Sequence, residues 1–317
     1  MPADFHYQID PLATADAGFT LQQAEHIRRL HPLLAQLLTD AKIAKPLPAL
    51  TTGQEKLVLG AEAPLWGELV TDEMLDDRLW PRAAALAERF WSAANVRDPL
   101  DMYRRLAVVQ DQLTVSGLMA DANRRRMASR LAPGDSEPVY ELLQIVTPVR
   151  NMAHDHRIRA AARGQQIRQP LNALADAAPV ESLVAQRFAA DAQRFVSGDE
   201  NLAASLRARL TRWRDNDERF AAVARGNAML EPALPTAASI ASLAQIGLDA
   251  LDIIAGKRDR DASWTQTAET ALMQAEAHDA ASRLPLASFL GSQPPADLII
   301  AITPGVRVLV GAVASGS

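Results

Sequence analysis

The sequence predicts a mainly α-helical chain that carries one strand-then-helix unit near its N-terminus. Three observations point there. Val58 and Leu59 open a short buried strand, Gly60, Ala61 and Ala63 let neighbouring backbones come close, and Pro64 and Gly67 end regular pairing. Ala84, Leu86, Ala87, Phe90 and Trp91 then recur at helical spacing. From about residue 110 onward the apolar residues keep a helical period, many of them alanine, as in a helix bundle. In parallel α/β folds the loop after a strand is where chemistry is placed. Here that loop bears Trp66 and Glu68.

Taken in order, residues 1–20 read as loop, with Pro2, Pro11 and Gly18 and a short strand at His6–Ile9. Leu21, Ala24, Ile27, Leu30, Leu34, Leu37 and Leu38 predict helix, interrupted at Pro32. Pro46-Leu47-Pro48 leads into the strand at 56–65. The following helix is expected to be capped by Asp76 or Asp77, with Pro81 in its first turn, where a missing N–H costs little. Met102, Leu106, Val109 and Leu113 mark the inner face of the next helix. Further helices are expected at Asp121–Leu131, Glu137–Ile145, Val149–Arg163, Glu181–Val196, Glu200–Gly226, Ala233–Ala255 and Asp261–Leu284. The apolar tail Leu298–Ala314 is broken by Pro304, Gly305 and Arg307 and falls short of a membrane span; a packed terminal element is expected.

Particular residues carry a resemblance. Leu59-Gly60-Ala61-Glu62-Ala63, Trp66 and Glu68 are followed by Arg78, Trp80-Pro81-Arg82, Ala85, Ala87-Glu88-Arg89 and Trp91-Ser92. This series is similar to the last βα unit of the barrel in glycoside hydrolase family 20, the β-N-acetylhexosaminidases. The pattern there is close to Leu-Gly-Gly-Glu-Ala-x-x-Trp-x-Glu, then Ser-Arg-x-Trp-Pro-Arg-x-x-Ala-x-Ala-Glu-Arg-x-Trp-Ser. Ala61 departs from the second Gly and Asp77 from the Ser. His6–Leu12, Asp101–Leu106, Leu142–Pro148 and Pro170–Asp176 resemble further stretches, some of them in bacterial members.

The resemblance implies a (β/α)8 TIM-barrel end at residues 1–108 followed by an all-α domain at 109–317. It implies glycans ending in N-acetylhexosamine as substrate, with Trp66 walling the N-acetyl pocket and Glu68 accepting hydrogen bonds from sugar hydroxyls. An indole face suits the apolar side of a sugar ring, and a carboxylate suits paired hydroxyls. The family cleaves by substrate assistance: the sugar's acetamido oxygen attacks, a Glu serves as acid and base, and an Asp orients the acetamido group. That Asp-Glu pair is expected to have no counterpart in this chain, since it belongs to an upstream strand. Tyr7 and Asp10 are spaced one residue too far apart to stand for the family's Tyr-x-Asp motif. The expectation is therefore a hexosaminidase C-terminal part without a catalytic residue of its own: a separately encoded half that works with a separate chain carrying the rest of the barrel, a truncated gene product or a misannotated fragment. The alternative is a non-catalytic helical interaction protein with a decayed barrel unit.

Other candidates read as structure. Glu62 needs a partner inside a fold, and Arg78, Arg82 or Arg89 could supply one. Trp80, Trp91 and Arg89 are expected to pack the helix against the barrel. Ser197-Gly198-Asp199-Glu200 imitates the family's catalytic Gly-Gly-Asp-Glu, but lies between two helices, where Gly198 fits a C′ position and Asp199 a helix start. Asp72-Glu73 and Asp217-Glu218 read as helix-start or solvated carboxylates. His154 and His156, two apart on a helix, point to opposite sides and cannot share an ion, and His26 and His31 lack further ligands. No metal and no cofactor is expected; P-loop and dinucleotide glycine motifs are absent.

Composition sets the outer bounds. The 317 residues are 48% hydrophobic and 22% charged, ordinary for a globular protein. A net charge of -5 leaves no electrostatic footprint for nucleic acid, and no membrane segment is expected. The absence of cysteine excludes disulfides, zinc-thiolate sites and a thiol nucleophile. Residues 1–6 show neither a basic region nor an apolar run, so no export signal is read, and the compartment stays open.

Overall fold

The computed structural model describes residues 70–93, 95–149, 171–282 and 294–315, with the isolated positions 51, 53 and 65. The expected strand at 56–65, the helix at 21–38, the helix at 149–163 and residues Glu62, Trp66, Glu68, His26, His31, His154 and His156 lie outside the described residues.

Among the described residues the chain is mainly α, with ten α-helices. In order they are α1 (Asp72–Trp91), α2 (Pro99–Val115), α3 (Ala120–Leu131), α4 (Glu137–Leu143), α5 (Leu174–Ala177), α6 (Leu183–Val196), α7 (Ala203–Ala224), α8 (Leu234–Ile254), α9 (Ala262–Ala281) and α10 (Thr303–Ser315). Two short strands, β1 (Val146–Pro148) and β2 (Leu298–Ile300), pair antiparallel with Val146 opposite Ile300. The sequence reading missed both. Three residues are too few to show a period of two, and Pro148 argues against a strand unless it sits at an end.

The helix starts have local causes. Asp98 precedes Pro99, and its Oδ1 accepts from the N–H of Leu100 at 2.9 Å. Ser182 accepts from Ala185 N–H at 3.0 Å and donates to the Gln144 carbonyl at 2.6 Å, so one hydroxyl caps α6 and ties it to the end of α4. Asp261 caps α9 by accepting from Trp264 N–H at 2.6 Å.

The core is built on α7 and α8, which lie along each other, with α10 packed on α6 and α8. Leu206, Leu210, Trp213, Phe220 and Ala224 of α7 meet Ile240, Leu243, Ala244 and Leu251 of α8 in one buried cluster. Phe188 of α6 meets Trp213 edge-on, ring centres 4.9 Å apart at 82°. Such a pair adds about 0.5–1.5 kcal/mol beyond its buried area. Residues 231–254 are long and apolar enough to cross a membrane, but in the fold they include a core helix whose inner face is covered by α7 and α10. The tail packs as expected: Val306, Leu309 and Val310 are buried. Helix α2 runs unbroken through residues 108 and 109, so the expected division there coincides with no break in secondary structure.

Candidate functional site

Helix α1 is the described element that follows Trp66 and Glu68 in sequence, and its anchoring differs from expectation in three ways. First, it begins at Asp72, with Thr71 at the N-cap position and its carbonyl accepting from Met74 and Leu75 at 3.1 and 3.0 Å. Asp76 and Asp77 are therefore inside the helix rather than capping it. Pro81 sits in its middle rather than its first turn, and has no N–H to offer the Asp77 carbonyl.

Second, the buried stripe is not the apolar one. Met74, Arg78, Arg82 and Ala85 point inward, with Arg78 only 4% exposed and Arg82 5%. Of the expected apolar face, Ala84 packs on the small cluster of Ala85, Met102 and Leu106, and Leu86 is half-buried. Ala87, Phe90 and Trp91 are exposed, Trp91 at 94%. Third, Trp80 is also exposed, and Arg89 donates to the carbonyls of Ser92, Ala93 and Val96, closing the end of its own helix.

The physical reason is that α1 carries its own polar anchors. Arg78 Nη1 donates to the Ala178 carbonyl at 2.8 Å and Nη2 to the Asp176 carbonyl at 3.0 Å. Asp77 accepts from the N–H of Val180 at 3.3 Å and from Arg124 Nη2. Asp76 accepts from the N–H of Met119 at 2.7 Å. Glu73 is gripped by Arg130, with Nη1 at 2.7 Å from Oε1, and by Arg126 at 3.3 Å. The Arg130 hydrogen bond holds its carboxyl below the usual carboxylate range. A buried guanidinium is stable only where acceptors meet its fork, and residues 176–178 provide them.

These carboxylates are committed to structure. Asp72 and Glu73 lie in the first turn of α1, as read; Glu73 is not a solvated acid but an anchor. Asp217 instead lies in the middle of α7, where burial raises its carboxyl. Tyr140 is pushed up to about 12 by burial and by donating to Asp121 Oδ1 at 2.5 Å, with Arg125 stacked 3.7 Å over its ring. Among the described residues no three His, Asp or Glu side chains cluster to hold a metal ion.

The Gly198-Asp199-Glu200 segment takes the structural reading. Gly198 has φ +111°, the left-handed region, and follows the α6 C-cap Ser197. Its N–H bonds the Phe195 carbonyl at 2.9 Å, and Asp199 N–H bonds the Arg194 carbonyl at 3.1 Å, the paired closure of a Schellman turn. Asp199 stands at the start of the 3₁₀ turn Glu200–Leu202 but caps nothing; its Oδ2 accepts from Arg194 Nη2 at 2.6 Å.

A mainly helical chain is the class of structure defined so far. Residues 17–94 match the model of glycosyl hydrolase family 20, catalytic domain, about a quarter of the chain. Similar over part of the chain are the β-hexosaminidase subunit beta of Mus musculus, 48% identical over 67 residues, and that of Homo sapiens, 46% over 70. The alignments take in 21% and 22% of this chain, and 12% and 13% of those relatives, so the chain spans about an eighth of their length. The fold as a whole is similar to the chitobiase of Flavobacterium johnsoniae, with a TM-score of 0.62 at 22% identity, over 92% of this chain and 40% of that one.

The structure thus leaves Trp66 and Glu68 outside its described residues and brings out Asp77, expected as a cap and noted as a departure from the motif, and Arg78, expected as a motif residue and a partner for Glu62. The signal available was Arg78 itself, an arginine at a position of α1 that shares the inward stripe with Met74 and Ala85.

Proposed function

We propose that Val58–Trp91 is the closing βα unit of a β-N-acetylhexosaminidase barrel, and that Trp66 and Glu68 bind the terminal sugar. The substrate is a glycan ending in a non-reducing N-acetylhexosamine, cleaved with retention by attack of its own acetamido oxygen. Trp66 walls the acetamido group and Glu68 takes the sugar hydroxyls. Residues 1–108 contribute the barrel part and 109–317 the helical part beside it. The general acid and the orienting Asp come from barrel strands outside Val58–Trp91, so the 317 residues by themselves are inactive. Asp199 and Glu200 do not replace them: both lie in a helix-to-helix turn, where Asp199 pairs with Arg194 and Glu200 is exposed. The observation that carries the reading is the match of residues 17–94, a range that includes Trp66 and Glu68, to the family's catalytic domain.

The second reading, a non-catalytic helical interaction protein with a decayed barrel unit, draws support from the exposed Trp80, Phe90 and Trp91 on α1. Hydrolysis of a chromogenic N-acetylglucosaminide separates the two. The chain is assayed alone and mixed with the product of the neighbouring upstream gene. Activity only in the mixture, lost in Glu68→Ala, supports the hexosaminidase reading. Activity of the chain alone overturns its need for a partner, and silence in both favours the interaction protein.

A further inference from the structure

We propose that the outward face of α1, lined by Trp80, Phe90 and Trp91, is the docking surface for the remainder of a family 20 catalytic domain, the part that residues 17–94 do not match. The occupant is the outer side of a parallel barrel sheet. This rests on the barrel reading proposed above.

Helix α1 is built inside out. Its inward side is Met74, Arg78, Arg82 and Ala85, and polar groups hold it there: Arg78 on the carbonyls of Asp176 and Ala178, Asp77 on Arg124, Glu73 on Arg130. The opposite side carries Trp80, Ala83, Ala87 and Phe90, spaced three, four and three residues apart, so they line one face. Trp80 is 40% exposed, Phe90 57% and Trp91, at the helix end, 94%. Among the described residues every exposed Trp or Phe lies on α1. With aromatic side chains of about 150–250 Å² each, the three leave roughly 300–450 Å² in water. That is about half of the ~800 Å² that one partner buries in a standard interface, and Trp is a residue type that commonly carries the binding energy of one.

Two observations name the occupant. The match to the catalytic domain runs to residue 94, three residues beyond Trp91, so α1 belongs to that stretch while α2 to α10 lie beyond it. The aligned stretch is about an eighth of the relatives' length, so a catalytic domain brings much more chain than α1 meets here. The second observation is chemical. Carbonyls inside a sheet are taken up by the ladder, so a sheet offers nothing to the fork of Arg78, which is met instead by the carbonyls of Asp176 and Ala178. What a parallel barrel sheet offers is an outer face of apolar side chains, onto which its helices pack. The side of α1 that suits a sheet is the aromatic one, and that is the side left open.

Dimensions agree. From Trp80 to Trp91 the stripe runs about 16 Å at 1.5 Å per residue, the length of a strand of about five residues. The helix then has two jobs on two sides. Its charged side fixes it to the helical part in one register, because any other leaves a buried guanidinium short of acceptors. Its aromatic side is thereby presented in a set direction to the barrel. A second copy of the chain is the other occupant the stripe could take, and the test separates the two.

The test uses the full chain, alone and mixed with the product of the neighbouring upstream gene. Hydroxyl-radical footprinting, normalised for each residue type, reads side-chain exposure, and gel filtration reads association. Met273 of α9, 57% exposed like Phe90, is the control. In the chain alone Trp80, Phe90 and Trp91 are expected to be modified at the rate of open side chains. In the mixture their modification is expected to fall at least fivefold, with Met273 unchanged within twofold. Phe90→Glu combined with Trp91→Glu is expected to weaken association at least tenfold, and Met273→Glu to leave it within twofold. All three positions are exposed, so these variants keep the urea midpoint of the parent. Failure to associate, or association that leaves the three aromatics open, overturns the surface. Their protection in the chain alone overturns it as well, in favour of a second copy where gel filtration gives a dimer. Hydrolysis of the chromogenic N-acetylglucosaminide in the same mixture keeps the two readings apart. A complex that protects the face yet hydrolyses nothing overturns the hexosaminidase reading and leaves the surface. Hydrolysis indifferent to Phe90→Glu with Trp91→Glu keeps the hexosaminidase reading and overturns the surface.

Discussion

Glu88 of α1 and Arg105 of α2 meet in a two-pronged pair, Nε donating to Oε2 at 3.3 Å and Nη2 to Oε1. It joins the two helices at the C-terminal end of α1, next to the small cluster of Ala85, Met102 and Leu106. Both side chains are about one-third exposed or less, so water screens the pair and its share of stability is modest. A double-mutant cycle with Glu88→Gln and Arg105→Gln, read by urea unfolding, is expected to give a coupling of about 0.5–1 kcal/mol. Arg105 also pairs with Asp101 in its own helix, so Arg105→Gln alone costs more than Glu88→Gln alone.

Gly305 lies in the first turn of α10, where that helix crosses α6. A methyl group there would stand 2.4 Å from Phe188 Cδ1 and 3.1 Å from the Ala189 Cα. The ring is fully buried and held against Trp213, so it cannot give way. Gly305→Ala is expected to lose about 1–3 kcal/mol in chemical denaturation, against the usual preference for Ala in a helix.

Gly198 is required for a different reason. Its φ of +111° is one that a side chain resists, and Gly198→Ala should cost about 1–2 kcal/mol. Asp199→Asn and Glu200→Gln, by contrast, should leave any N-acetylglucosaminidase activity of the chain, assayed with the product of the upstream gene, within twofold of the parent. A loss of a hundredfold or more in either would return the two carboxylates to candidacy as the catalytic pair.

Two glutamates should respond oppositely to pH. Glu141 is buried between α4 and α7, and burial raises its carboxyl, with Arg212 at 3.8 Å offsetting only part. The folded state then holds the proton longer than the unfolded one, so stability falls as pH rises from the usual carboxylate range through the raised value. Glu73 is lowered by Arg130, so its contribution is present above the usual range and is lost as pH falls through the lowered value. Urea unfolding between pH 3 and 7 checks both. Glu141→Gln should remove the loss on the rising side, and Glu73→Gln should remove the loss on the falling side.

By itself the sequence determined the helices and most of their ends. Six long helices from α2 to α9 appear within a few residues of where apolar spacing puts them, because a period of 3.6 repeats often enough over 12 to 22 residues to be read. The α6 ending at Gly198 was legible for a local reason, a backbone angle that favours glycine. The region around Trp66 and Glu68 was legible as a motif, which the match of residues 17–94 supports.

Tertiary structure alone decided which face of α1 turns inward. Hydrophobicity favoured Phe90 and Trp91, yet Arg78 and Arg82 are buried, since acceptors for Arg78 wait about a hundred residues downstream at Asp176 and Ala178. The pairing of Val146 with Ile300 is likewise invisible to a local reading, because each strand is three residues long and is made by its partner. Local spacing fixes an element's period. Burial of a charge, and a strand too short to show a pattern, depend on groups that only the folded chain brings near.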